Sequence, residues 1–287
     1  MPLLVTRTRL SCVKKIGTAF TGVLAIFLAF GIISIDDVYA HKPLKTSDNN
    51  DSFATATRIF NHTTSWAVYE ELDKENPIDY YSFTANKGER FHAQLLIPKL
   101  EKFINFRPSL ALIGNGLSAD IKNVHSENTI QEHYATDSDA LPFSLPPRTE
   151  ATVVDYTGII SSTEFYEPFT QTSYWERQEV VIDNLPASGT YFVVIFDRNI
   201  ISQVNNNNSS SSTGKYSLAI GEIEDFSPYD LFTTLPKAWF DTKFFFEDYT
   251  MPAVVIAAAI TVPVIVVTSY LIRGHRGQSK SQNLRPK

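Results

Sequence analysis

The 287-residue chain carries 25 Lys and Arg against 31 Asp and Glu, a formal net charge of −6, and a single cysteine, Cys12. The basic residues gather at the two ends: residues 1–40 are net +2 and residues 273–287 net +5, so residues 41–272 carry −13. A body of that sign repels nucleic acid and anionic headgroups, and without cysteine it must hold its shape by packing, with no disulfide.

Residues 1–40 read as a signal peptide. Arg7, Arg9, Lys14 and Lys15 precede an apolar run over 16–35, and Val38-Tyr39-Ala40 offers small residues for a signal peptidase. Cys12 lies before that run, where cleavage would discard the export signal, so it is not read as a lipidation site. Residues 41–51 are polar and read as a stalk or an entry strand. Cleavage after Ala40 would give His41 a free α-amine beside its imidazole, a pair able to chelate copper with His62 or His92 as a second imidazole. The plainer reading is an ordinary polar residue after a cleavage site.

Residues 52–222 alternate and break as an antiparallel β-sandwich does. In Asp79-Tyr80-Tyr81-Ser82-Phe83-Thr84, Tyr81 and Phe83 share one face. Asn86-Lys87-Gly88-Glu89 supplies a turn, and Phe91, Ala93, Leu95 and Ile97 form one side of the next strand, so the two are expected to pair as a hairpin. A strand over 109–113 ends at Gly114-Asn115-Gly116, and a polar insertion runs over about 114–147. Further strands are expected over 151–156, 178–182, 191–196 and 215–220. The third of these, Tyr191-Phe192-Val193-Val194-Ile195-Phe196, is apolar on both faces, as a central strand is. The Asn- and Ser-rich tract over 205–212 is expected at a hairpin tip.

Residues 223–250 are an aromatic juxtamembrane segment. Ser227-Pro228 resembles a helix start, Pro236 is expected to bend the element, and Trp239, Phe240, Phe244, Phe245, Phe246 and Tyr249 suit either a membrane surface or the face of the sandwich. Residues 251–272 hold no charged side chain and are long enough to span ~30 Å of hydrocarbon; Arg273, His275 and Arg276 follow at once, so the basic tail over 273–287 is expected in the cytosol. The expected architecture is thus a mostly β, jelly-roll-like antiparallel sandwich outside the cell, on one C-terminal transmembrane helix.

Several blocks together carry a family resemblance: Asn50-Asp51-Ser52 leading to Ala54-Thr55, then Ile78-Asp79-Tyr80-Tyr81-Ser82-Phe83 with Lys87-Gly88-Glu89-Arg90. Pro108-Ser109-Leu110-Ala111-Leu112, Gly189-Thr190-Tyr191-Phe192-Val193-Val194 and Gly214-Lys215-Tyr216-Ser217-Leu218 complete the set. In order and spacing these resemble the pre-peptidase C-terminal domain, a β-sandwich of secreted bacterial and archaeal proteins. The resemblance implies an accessory module located outside, one that in some members binds calcium or a polymeric substrate. No protease domain precedes the blocks here, and the insertion and the anchor depart from the pattern.

Candidate sites follow from the side chains. Asp48, Asn49, Asn50 and Asp51 crowd hard oxygen donors that suit calcium, and the resemblance makes a site there with Asp79 as a distant ligand the alternative to a hydrated linker. Glu167-Pro168-Phe169-Thr170 with Tyr174-Trp175 joins acid, hydroxyl and aromatic groups that would hold a sugar ring or a peptide, or close the end of the sandwich. His125 and His133, beside Glu127 and Glu132, are either metal ligands or solvated loop histidines. Asn50, Asn61, Asn207 and Asn208 head glycosylation sequons.

The chain has no G-x-S-x-G elbow, no H-E-x-x-H helix and no cysteine after residue 40, so the expected function is a non-catalytic surface module binding envelope polymer, a protein partner or a cation. Two alternatives stand beside it: a metal-dependent (copper or zinc) extracellular enzyme or copper-binding protein, and a subunit of a larger membrane complex.

Overall fold

The structure is a computed structural model describing residues 41–117, 131–135, 141–156, 164–205 and 213–282. The signal-peptide reading, His125, Asn207 and Asn208 lie outside the described residues. The chain divides into a unit over Tyr39–Phe246 and a second that carries Glu247–Lys287.

The first unit is the expected β-sandwich, built from two six-stranded sheets. One sheet runs, edge to edge, β1 (Lys42–Pro43), β3 (Trp66–Leu72), β12 (Gly214–Ile220), β5 (Phe91–Pro98), β10 (Thr172–Ile182) and β9 (Glu164–Glu167). The other runs β2 (Thr57–Arg58), β4 (Ile78–Ala85), β11 (Gly189–Phe196), β6 (Ser109–Gly114), β8 (Glu150–Asp155) and β7 (Gln131–Ala135). Pairing is antiparallel throughout except for the two-residue strands β1 and β2, which run parallel to β3 and β4. β7 lies in the sequence insertion and returns to pair with β8 at the edge of its sheet.

Alternation decides which residues meet between the sheets. Tyr81 and Phe83 of β4, Phe91, Ala93, Leu95 and Ile97 of β5, Tyr191, Val193 and Ile195 of β11, and Tyr216, Leu218 and Ile220 of β12 share one core. Phe83 stacks on Phe91 across the gap at 4.9 Å between ring centroids. Each such ring, fully buried, contributes about 2–3 kcal/mol of transfer free energy. Because β11 is central, its other face is covered too: Val194 and Phe196 join Tyr80, Ala111 and Ile113 in a second cluster against Phe53 and Phe143.

Two expected pairings are corrected. β4 and β5 are not a hairpin: β4 pairs with β11 and β5 with β10 and β12, so Asn86–Glu89 crosses from one sheet to the other. The corner is fixed by Gly88 N–H to Leu185 O and Leu185 N–H to Glu89 O, each 2.8 Å, with Gly88 at φ 87°. β11 and β12 likewise belong to different sheets, so the polar tract between them is no hairpin tip. The helix α1 (Arg198–Asn205) leaves β11 there. Its first turn is capped by Asp197, whose carboxylate accepts the N–H groups of Asn199 at 2.7 Å and Ile200 at 3.1 Å.

After β12 a π-helical turn (Asp230–Thr234) leads into α2 (Leu235–Phe245). Helical residues run without a break from 228 through the π-helical turn into α2, so Pro236 lies inside a continuous helical segment, directly after the π-helical turn. Leu235, Ala238, Thr242 and Lys243 are the buried residues of α2. Phe246, at its end, packs edge-on against Tyr69 and Tyr174 of the first sheet. Part of the aromatic segment is therefore sandwich surface, while Tyr229, Phe232 and Phe244 are exposed.

The second unit contains α3 (Thr250–Gln282). Its Thr250–Ile272 stretch is long and apolar enough to cross a membrane: 23 residues at 1.5 Å each reach about 35 Å. Thr261 donates its hydroxyl to Ala257 O at 2.9 Å, which satisfies it within the helix. Pro263, inside α3, removes one N–H from the ladder.

Candidate functional site

Asp79 is the most deeply placed carboxylate of the predicted sites, fully buried between the sheets. Its parity on β4 matches Tyr81 and Phe83, so the strand that builds the core also turns this carboxylate inward. Tyr216 donates to Asp79 Oδ2 at 2.6 Å, Asn76 Nδ2 donates to Oδ1 at 2.7 Å, and Tyr81 and Tyr216 share a hydroxyl hydrogen bond of 2.7 Å. Tyr216 lies in one sheet and the other two in its partner, so the chain of bonds ties the layers together. Burial pushes the Asp79 carboxyl up to about 7, against the lowering effect of the Tyr216, Asn76 and Asn50 hydrogen bonds.

Of the calcium candidates, Asn50 is brought beside Asp79, while Asp48 and Asp51 lie outside the core. Asp48 and Asp51 are exposed, Asp51 accepts from Thr55 Oγ1 at 3.1 Å, and Asn50 is buried with its carbonyl taken by Tyr80 N–H at 2.9 Å. Among the described residues no three His, Cys, Asp or Glu side chains gather as metal ligands do. Of the sequon residues described, Asn61 is exposed and accepts from Thr63, while Asn50 has only 5% of its surface accessible.

The aromatic stretch is divided by strand alternation. Glu167 is buried and folds over its own turn, accepting from Phe169 N–H at 3.1 Å and Thr170 N–H at 2.6 Å. Burial pushes its carboxyl up, and those hydrogen bonds and the Lys243 charge pull it back. Tyr174 faces Phe246 beneath α2, and Trp175 faces the inter-sheet core; Phe169 is half-buried. These four residues do not converge on one surface.

A cleft of about 580 Å³ lies instead between the β1 end of the first sheet and α2. Leu44, Thr46 and Tyr69 line one wall, and Tyr229, Thr233, Lys237, Thr242 and Phe245 the other, with Lys45 exposed at the rim. The walls are clamped by Lys42 Nζ on Asp230 Oδ2 at 2.9 Å. Ser227 adds its hydroxyl to that oxygen at 2.8 Å, and the Lys42 and Ser227 bonds hold the Asp230 carboxyl well below its usual range. Asp241 also lines the cleft and pairs with Lys237, so the lining combines aromatic faces, hydroxyls and an ion pair, with the Lys45 ammonium at the rim, chemistry that receives a polyol. Sequence reading missed it because its walls, 43–46 and 229–245, are far apart in the chain: Lys42 and Asp230, which clamp them, are 188 positions from each other.

The histidines separate. His62 is buried against Phe83 at 4.9 Å between rings, and burial first of all lowers its pKa. His41 places Nδ1 2.6 Å from Ser65 Oγ, and its pKa is lowered to about 4 by burial and then by the charge of His92. His92 contacts Glu179 Oε1 through Nε2 at 2.8 Å and leaves a buried Nδ1 with no partner. His92, one of the two imidazoles expected as partners for His41, sits on β5, with β3 and β12 between it and β1. The side chain of His133 lies outside what the structure describes.

Fold and site define an antiparallel β-sandwich with a ligand-sized cleft, followed in the chain by an apolar helix of membrane-spanning length. No protein-family model matches this chain. No curated protein matches it either.

Proposed function

We propose that the protein is a non-catalytic surface module of the cell envelope, anchored by α3 with the sandwich outside, and that the cleft beside α2 holds a polysaccharide segment. The cleft carries this reading: Tyr69, Tyr229 and Phe245 offer ring faces, Thr46, Thr233 and Thr242 offer hydroxyls, Lys237 is paired with Asp241, and Lys45 is a positive group at the rim on a body of net −13. The buried polar groups favour the same reading, since Asp79, Tyr81 and Tyr216 bond the sheets to each other and Glu167 bonds its own turn.

The test is binding of the full-length protein, in detergent, to immobilised acidic and neutral polysaccharides, with Tyr229→Ala and Lys45→Glu as variants. Tyr229 is 72% exposed, so its removal leaves the core untouched. Each substitution is expected to weaken binding about tenfold, equivalent to about 1.4 kcal/mol. Polysaccharide binding that is unchanged in both variants, or no binding at all by the folded protein, overturns the proposal.

A further inference from the structure

The loop between β2 and β3 presents a second site, and none of its residues lines the cleft. Ile59 and His62 are buried, while Phe60 and Asn61 between them are exposed, Phe60 at 79%. The inward pair anchors the loop: Ile59 belongs to the inter-sheet core, and the His62 ring lies against Phe83 at 4.9 Å between centroids. The main chain is held as well, because Asn61 O accepts from Trp66 Nε1 at 2.8 Å. An amide and an aromatic ring are thus held out to solvent from an anchored loop.

Asn61 heads the tripeptide Asn61-His62-Thr63, and its first and third residues are joined. Asn61 Oδ1 accepts from Thr63 N–H at 3.2 Å and from the Thr63 hydroxyl at 2.9 Å. In a planar amide the oxygen and the nitrogen stand on opposite sides of Cγ, so two donors on Oδ1 turn Nδ2 away from the loop. Among the described residues Nδ2 makes no hydrogen bond. The Asn50-Asp51-Ser52 tripeptide is built the other way. Asn50 is buried, and the Ser52 hydroxyl is bonded to Thr55 Oγ1 at 2.6 Å instead of to the asparagine. Of the two described N-x-S/T tripeptides, one presents its amide nitrogen and the other conceals it.

We propose that Asn61, and not Asn50, carries an N-linked glycan; this rests on the reading that the sandwich lies outside the cell. The donor is a sugar joined through its C1 to a polyprenyl diphosphate, handled by an envelope glycosyltransferase. Nδ2 attacks C1, and the N–C bond forms as the bond from C1 to the diphosphate oxygen breaks. The bonding pair leaves with the diphosphate, which also takes the proton that the amide gives up. Thr63 fixes the amide for this transfer, and Phe60 offers an apolar ring face to the C–H groups of the first sugar. Because Asn61 is exposed, the product needs no room within the fold, whereas a glycan on Asn50 would have to enter the core beside Asp79.

The experiment uses the full-length protein purified from the membranes of its own cells, digested with trypsin and read by mass spectrometry. Trypsin releases Asn61 in the peptide 59–74 and Asn50 in the peptide 46–58. The expected result is the added mass of one glycan on 59–74 and the bare mass for 46–58. Asn61→Gln and Thr63→Ala abolish the added mass, and Thr63→Ser, which keeps the hydroxyl, retains it. A bare 59–74 from the wild type, a glycan on 46–58, or an added mass that persists in Asn61→Gln overturns the proposal. Labelling intact cells that carry a Cys12→Ser, Asp48→Cys protein with a membrane-impermeant maleimide separates two kinds of failure. A bare 59–74 with position 48 labelled strikes the glycan alone; a bare 59–74 with position 48 protected strikes the outward-facing sandwich as well.

Discussion

Asp79 shows how one side chain can carry both stability and pH dependence. Its carboxyl is raised to about 7, so the folded protein holds a proton that the unfolded chain, titrating near its ordinary value of about 4, gives up. For an acid raised on folding the sign is fixed: this contribution is fully present below about pH 4 and is lost as pH rises to about 7. At about 1.4 kcal/mol per unit, the loss is at most about 4 kcal/mol. Asp79→Asn removes the titration, so urea unfolding should find the variant gaining on the wild type between pH 5 and pH 8. Parallel stability profiles over that interval would contradict the assignment. This carboxylate was legible in the sequence, since the alternation that turns Tyr81 and Phe83 inward turns Asp79 inward with them. Its partners were not, because Tyr216 lies 137 positions away and in the other sheet.

Among the elements, α2 has the most to test. Its inner residues and Phe246 cover Tyr69, Leu96 and Tyr174 on the outer face of the first sheet. A chain ending after Phe246 should therefore remain monomeric without detergent, and one ending at Glu222 should expose those residues and aggregate. Equal solubility of the two, by light scattering, would show that α2 does not belong to the sandwich. Phe246→Ala should destabilise the longer chain by about 3 kcal/mol, the usual loss for a buried ring. Legibility follows the same division between local and distant. The strands β4, β5, β6, β8, β11 and β12 announce themselves by alternation or by a short apolar run. β3 does not, because adjacent Glu70 and Glu71 hide a strand whose Glu70 is half-buried beside Thr46, with which it bonds. The Asn86–Glu89 turn reads the same whether it closes a hairpin or crosses between sheets. Partners more than 75 residues away, β11 and β10, decide the matter. The cleft was hidden for the same reason, being made by segments far apart in the chain.

For the whole molecule, residues 41–272 are net −13, residues 273–287 are net +5, and Thr250–Ile272 between the sandwich and that tail is long and apolar enough to cross a membrane. The proposed function requires the sandwich and the tail to lie on opposite sides of it, with the sandwich facing the envelope. Labelling of intact cells with a membrane-impermeant maleimide tests this most directly, using Cys12→Ser proteins that carry a cysteine in place of either exposed Asp48 or Lys287. The account predicts that the cysteine at position 48 reacts in intact cells and the one at 287 only after lysis; reaction at 287 with protection at 48 would contradict it.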